Sequence, residues 1–291
     1  MNNPDYEYYH EKKPHVSVNF PYNTYLCTIP LDFAQVNTHW HKETEFIIIK
    51  KGCGKVCVDL QEYIVTAGDI ILILPGQLHS ISQHKDNCME YENILFFPNL
   101  LYGNGHDYCT SSLLYPFFEN NFVFPVHINK SLSIYSQLYS CIDCIDKLRS
   151  APAPGYELGI KGYLFQFFSL LFTNLIDINS QKPVNRHAAK LKEILGYISI
   201  HHNEAIVPSD AAGAAGFSTS HFMKFFKKHM GCTFTEYLNE YRLSVACTLL
   251  STTDKSILEI SYETGFTNLS YFNRLFKKKY GISPRVYRKS L

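Results

Sequence analysis

Apolar and polar positions follow two different rhythms along the chain, and the change of rhythm divides it. From Val16 to about Phe97 the apolar residues come in short runs, at 16–20, 25–29, 33–41, 44–52, 55–60, 62–67, 69–75, 79–83 and 92–97. Turn residues separate them at close intervals, and no helical pattern lies between. That combination predicts an antiparallel sandwich or barrel rather than a parallel sheet. Residues 98–130 are aromatic-rich and irregular and read as a cover over the barrel. Beyond them three- and four-residue spacing takes over. Ser131 to Arg149 predicts a helix in which Tyr135, Leu138, Ile142 and Ile145 form a coiled-coil-like seam, either a core face or a dimer contact. Pro152 and Pro154 break the chain. A second, mostly apolar helix is expected from Glu157 to Ile176. Lys161 and Gln166 interrupt its apolar surface, so it reads as a buried packing helix and not a membrane span.

Ile178 to His187 is polar, contains Pro183 and reads as a linker. Leu191 to His201 is expected to be the first helix of the C-terminal part. Near the end, Ser256 to Thr264 predicts a short helix with Ile257 and Ile260 inward, closed by Gly265. Gly265 to Arg288 then predicts a helix with two unlike faces. Phe272, Leu275 and Phe276 share one face. Ser270, Asn273, Arg274, Lys277 and Lys278 fall largely on the other. Thr267 or Asn268 caps its start, Gly281 stops it and Pro284 lies just beyond. Helix, glycine turn and basic-faced helix together form a helix-turn-helix pattern.

The same pattern occurs earlier, from Gly216 to Gly231. Phe222, Lys224, Phe226, Lys227, Lys228, Gly231 and Tyr237 match Phe272, Arg274, Phe276, Lys277, Lys278, Gly281 and Tyr287 at an offset of 50. Gly216 and Phe217 match Gly265 and Phe266 at 49, so the second turn is one residue longer. Two units are too few for a solenoid and read as paired modules. Phe234 to Leu250 is long enough for a helix connecting them. A basic helix alone is usually a solvated face. Two copies in matching frames, each behind a short helix and a glycine turn, point instead to DNA binding.

Charge sharpens the division. At 291 residues the chain has room for two domains, and its formal net charge of +1 hides an asymmetry. Residues 186–291 hold 15 Lys+Arg against 8 Asp+Glu, and residues 1–185 hold 12 against 18. The basic part suits a polyanion; the acidic part is not expected to bind DNA itself. No apolar run marks a signal peptide or a membrane span, so a cytoplasmic location is expected. The nine cysteines then read as reduced thiols, with Cys141 and Cys144 in packing rather than redox roles.

The strand region carries the remaining chemistry. His39 and His41 are two apart and point to one side of a strand, Glu45 lies four residues beyond, and His79 comes from a later strand. Three imidazoles and a carboxylate suit a divalent metal. They equally suit contacts to a small polar effector, or hydrogen bonds to one another. No Ser-His-Asp order, phosphate-binding glycine loop or zinc-ribbon cysteine set accompanies them, so no enzyme activity and no resident cofactor are expected.

The second module resembles the DNA-binding region of the AraC/XylS family of bacterial transcription regulators. Ile257, Ile260, Gly265, Phe266, Tyr271, Phe272, Arg274, Phe276, Lys277, Gly281, Pro284, Tyr287 and Arg288 carry the resemblance. The first module departs from it in Ser209 to Ala215, where alanines and Gly213 stand in place of a bulkier apolar residue. His39-Trp40-His41-x3-Glu45 with Gly52, and Gly68-Asp69 with Pro75-Gly76-Gln77-Leu78-His79, resemble the two motifs of the cupin barrel. The resemblance implies an α+β multidomain fold: an antiparallel cupin-like β-barrel with following helices, then an all-α domain of two helix-turn-helix modules joined by a helix. The expected divisions are a sensing barrel with its cover at 1–130, a helical packing or dimerisation segment at 131–177, a linker at 178–187 and a DNA-binding domain at 188–291.

It also implies a transcriptional regulator, an activator responding to a sugar or related metabolite. Its partners would be double-stranded DNA, the effector, RNA polymerase and a second copy of the chain, with no membrane. By position, Ser220, Met223 and Lys224 would face bases from the first module, and Ser270, Asn273 and Arg274 from the second. Asn268 would also contact the DNA, while Lys227, Lys228, Lys277 and Lys278 mostly hold phosphates. His39, His41, Glu45 and His79 would meet the effector or a metal. The rivals are a metal-dependent cupin enzyme or metal sensor fused to a DNA-binding tail, and a constitutive DNA binder whose barrel only dimerises.

Overall fold

A computed structural model of the chain describes residues 20–32, 34–103, 107–178 and 185–289. The expected polar arm at 1–15, nearly all of the strand expected at 16–20, and residues 179–184 of the expected linker lie outside these. The described residues fall into two compact units, one within residues 20–178 and one within residues 185–289.

The first unit is built around one strand. β3 (Thr44–Val58) joins the two runs expected as separate strands at 44–52 and 55–60. Its first part pairs antiparallel with β7 (Met89–Phe96) and β5 (Ile70–Ile73), and its second with β4 (Gln61–Thr66) and β6 (His79–Gln83). The change of partners falls at Gly52, where φ is +78° and a Cβ would sit 1.9 Å from the Cys88 carbonyl oxygen. No side chain fits that corner, so one strand serves two sheets. β1 (Tyr22–Ile29) pairs with β7, and β2 (Gln35–His39) with β6. The two antiparallel sheets share β3 and, among the described residues, are not hydrogen-bonded into a closed cylinder.

The cover expected at 98–130 is more regular than its sequence suggests. It holds single helical turns at Pro98–Leu101 and Cys109–Leu114, then α1 (Tyr115–Phe118) and β8 (His127–Ile128), which pairs with β5. Aromatic residues made it look irregular because they serve a core rather than a periodic face. Phe117 and Phe118 pack against Phe168 at ring separations of 5.5 and 5.3 Å.

α2 (Tyr135–Ser150) begins four residues later than expected, and α3 (Tyr156–Asn174) follows it. Both cover the outer face of the sheet. Leu138, Ile142 and Ile145 are fully buried there with Phe46, Phe96 and Phe167. The stripe that resembled a dimer seam is therefore an internal core face. Lys50 ties α2 to the sheet, its Nζ lying 2.7 Å from both Glu92 and Asp146.

The second unit is helical. α4 (Arg186–His201) starts five residues before its expected Leu191, because the Asn185 side chain caps it by accepting from the His187 and Ala188 amides. α5 (Pro208–Ala214) and α6 (Thr219–Met230) form one helix-turn-helix, and α8 (Ile257–Glu263) and α9 (Leu269–Tyr280) the other. α7 (Phe234–Thr252) joins them, and α10 (Pro284–Lys289) closes the second. α6 and α9 end at Gly231 and Gly281, both left-handed. No helix among the described residues is long and apolar enough to cross a membrane.

Candidate functional site

The two units each concentrate chemistry in one place. In the first, strand register assembles the cluster. His39 lies directly opposite His79 across the β2–β6 pair, and their rings are 4.1 Å apart. His41 follows β2, held by its carbonyl to the Gly76 amide at 2.8 Å. Glu45 enters from β3, opposite Leu95 and Ile73. The loop before His79 is fixed by Asp59, which accepts from Gln77 Nε2 at 2.8 Å and from the Leu78 amide at 3.2 Å. All four side chains are at least nine-tenths buried. Trp40, between the two histidines, is only partly buried.

Hydrogen bonding fixes the imidazoles. Nδ1 of His39, His41 and His79 lies 2.9, 3.1 and 2.9 Å from the carbonyl oxygens of Asn37, Glu43 and Gln77. A carbonyl can only accept, so each Nδ1 carries a proton and donates. Each Nε2 is left for the interior. His41 Nε2 is 3.2 Å and His79 Nε2 3.0 Å from Glu45 Oε2, the latter without hydrogen-bond alignment. Burial alone would raise the Glu45 pKa, but its contacts with His41 and His79 outweigh that and hold it well below the carboxylate range. Burial, together with the neighbouring His79 and His41, pushes His39 well below the ordinary imidazole value.

Nitrogen lone pairs beside a carboxylate repel unless a positive charge joins them. That charge can be a proton on the rings or a divalent ion between them. Coordinating nitrogens of the three histidines lie within 4.8 Å of one another. The carbonyls behind each ring supply the orienting second contacts that metal-binding imidazoles use. The three-histidine donor set therefore fits a borderline transition ion such as zinc, and Glu45 lies beside two of its nitrogens, those of His41 and His79.

In the second unit each basic helix buries its aromatic face and presents the rest. α6 buries Phe222, Phe225 and Phe226; Ser220, Met223, Lys224, Lys227 and Lys228 are exposed. α9 buries Phe272 and Phe276; Asn268, Ser270, Arg274, Lys277 and Lys278 are exposed, and Asn273 is half-buried. The sequence pattern thus places its proposed contacts on the open faces. Asn268, not Thr267, caps α9: its Oδ1 accepts from the Tyr271 amide at 2.9 Å, which leaves its NH2 for other contacts. Ser218 caps α6 in the same way at 3.4 Å.

Sequence reasoning missed Arg242 of α7. Its guanidinium donates to the carbonyls of His202 and Glu204, both at 2.7 Å, and so ties α7 to the loop after α4. Gly265 makes room for it; a Cβ there would meet Arg242 Nε at 2.8 Å. An arginine within an apolar helix pattern was the available signal. Exposed Tyr271 was noticed only as part of a family pattern, although its hydroxyl accepts from Asn239 of α7 at 3.1 Å.

Two family descriptions match the chain: an AraC-like ligand binding domain over residues 24–168, and a Helix-turn-helix domain over residues 211–290. The chain is 24% identical over 285 residues to YdeC, an uncharacterized HTH-type transcriptional regulator of Bacillus subtilis (strain 168), covering 96% of this chain and 95% of that one. It is 25% identical over 252 residues to the HTH-type transcriptional activator RhaS of Escherichia fergusonii, covering 86% of each. The melibiose operon regulatory protein of Escherichia coli (strain K12) is 32% identical over 145 residues, which are 50% of this chain and 48% of that one.

Proposed function

The chain belongs to the AraC family of transcriptional regulators, and from that premise we propose how its two units divide the work. The C-terminal unit reads double-stranded DNA through α6 and α9, and the N-terminal unit answers a small polar effector. The observation that carries this reading is the duplicated helix with an aromatic face buried and a basic face open. On this reading α6 and α9 enter successive major grooves, about 34 Å apart. Ser220, Met223 and Lys224 then meet base edges from the first module, and Asn268, Ser270, Asn273 and Arg274 from the second. Arg274 is the strongest reader, because a guanidinium bonds guanine through two donors at once. Met223 offers only apolar contact, suited to a thymine methyl. Lys227, Lys228, Lys277 and Lys278 hold phosphates.

The relative named for the melibiose operon supports a sugar or related metabolite as effector, and the RhaS relative supports activation. His39, His41, Glu45 and His79 form the polar contact set. An effector switches the protein only by preferring one arrangement of it over another. Contact with RNA polymerase, pairing of two chains and residence in the cytoplasm belong to the same reading, as does the absence of turnover.

A second reading is favoured by one observation, three histidine nitrogens within 4.8 Å of one another with Glu45 beside two of them: the same four residues hold a divalent metal, through which a polar effector is gripped. Such an ion would supply Lewis-acid attraction for effector oxygens.

Selection of duplexes from a random library by the full chain tests the DNA reading. Enrichment of two sequence segments one helical turn apart is expected, and the absence of any enriched sequence would overturn it. Melting the full chain with a panel of sugars, and separately with zinc, nickel and manganese, tests the sensor. A stabilising shift lost in His79→Ala is expected; a panel without any shift would favour the constitutive binder.

A further inference from the structure

Around the turn of the second module, two aromatic rings lie between two guanidinium groups, in a series that runs from the buried helix to the open face. Arg242 of α7, anchored on two carbonyls, lies 5.8 Å from the ring centre of Phe266. Phe266 lies 6.3 Å from Tyr271, and the guanidinium of Arg274 lies 5.3 Å from the centre of the Tyr271 ring. Tyr271 and Arg274 are three apart on α9 and so share a side of it. The Tyr271 hydroxyl is fixed from outside the helix by Asn239. The ring therefore has contacts to α7, to the turn and to Arg274.

A long, exposed arginine normally loses much rotamer freedom when it meets a base edge, and that loss weakens binding. A guanidinium lying against an aromatic ring has surrendered part of this freedom before DNA arrives. The contact also uses none of its five N–H donors, so the fork stays open for two parallel hydrogen bonds. The first module lacks the arrangement. At an offset of 50 its matching residues are His221 and Lys224. His221 packs on Phe217 at 4.7 Å, and Lys224 is a point charge on a flexible stem.

We propose that Tyr271 is a specificity-determining positioning residue, which holds the Arg274 guanidinium at the angle of the base edge and takes its own position from Asn239. The inference rests on Arg274 reading a base.

The test uses the full chain and the duplex it selects from a random library, every single-base-pair variant of that duplex, and one unrelated duplex, over a range of salt. Tyr271→Ala is expected to weaken the selected duplex by about three- to fivefold, the scale of a lost exposed cation–π contact. It should flatten preference at the same base pair that Arg274→Ala flattens. In an Arg274→Ala background it should add less than about twofold, as coupled residues do. The salt slope should stay unchanged, since no phosphate contact is lost. Tyr271→Phe and Asn239→Ala, which keep the ring and remove its anchor, should give smaller losses at that same pair. These two carry the test if Tyr271→Ala fails to fold.

Equal losses on all duplexes, additive losses in the double variant, or flattening at another base pair would each overturn the proposal. If Arg274→Ala flattens one base pair and the Tyr271 and Asn239 variants do not, only the positioning role fails. If Arg274→Ala itself leaves base preference intact, the base reading fails and this role fails with it.

Discussion

Single residues set the strictest local demands, and two glycines show the range. Gly52 sits at positive φ with a backbone oxygen 1.9 Å from where a Cβ would lie. Gly213 sits inside α5 with nothing within 4 Å of that point. Gly52→Ala is therefore expected to cost at least about 2 kcal/mol, from left-handed strain and a clash that only backbone movement relieves. Gly213→Ala should instead add about 1 kcal/mol, the usual helix-interior difference. Urea unfolding of the two variants checks both signs. The sequence placed Gly52 near a turn and Gly213 in a helix. It did not reveal that the first is wedged against Cys88, 36 positions along the chain.

At the scale of elements, spacing predicted type better than it predicted partners. A 3-4-3 apolar stripe looks the same whether it faces its own core or a second chain. In α2 the facing sheet and α3 decide for the core. Leu138→Ala should consequently lower stability by about 2–5 kcal/mol, and sedimentation of the folded variant should match the parent. A change of oligomeric state without loss of stability would contradict the internal placement.

Helix starts behave differently, because their signals are local. Thr233 with Glu236 on α7, and Ser256 with Glu259 on α8, form reciprocal caps. In both, hydrogen bonds from the cap residue, the backbone amide first, hold the glutamate pKa below its ordinary value. A carboxylate depressed in the folded state stabilises fully above its unfolded pKa, and that contribution disappears as pH falls through the folded value. Stability of the parent should thus fall on acidification through the carboxylate range. A Glu236→Gln, Glu259→Gln variant should lose less over the same interval in acid titration of the thermal midpoint.

Over the whole molecule, charge is divided as the work is divided. The basic excess lies in residues 186–291, and six of its cations are on the exposed faces of α6 and α9. Lys277→Ala is expected to weaken binding to selected and unrelated duplexes alike and to reduce the slope of log affinity against log salt by about one. Anisotropy titrations at several salt concentrations measure it. An unchanged slope would remove Lys277 from the phosphate-binding set.

Much of this protein can be read from the order of its residues, for a physical reason. Helical and strand periods, caps and glycine stops depend on neighbours within a few positions. The duplicated helix-turn-helix, the basic faces of α6 and α9 and the antiparallel character of the first unit were all legible in that way. The tertiary structure alone decided which distant groups meet. Register across β2 and β6 sets His39 against His79, the pairing of β3 brings Glu45 beside His79 and His41, and Gly265 gives Arg242 its space. Such meetings depend on pairing between segments tens of residues apart, and no local period records that pairing.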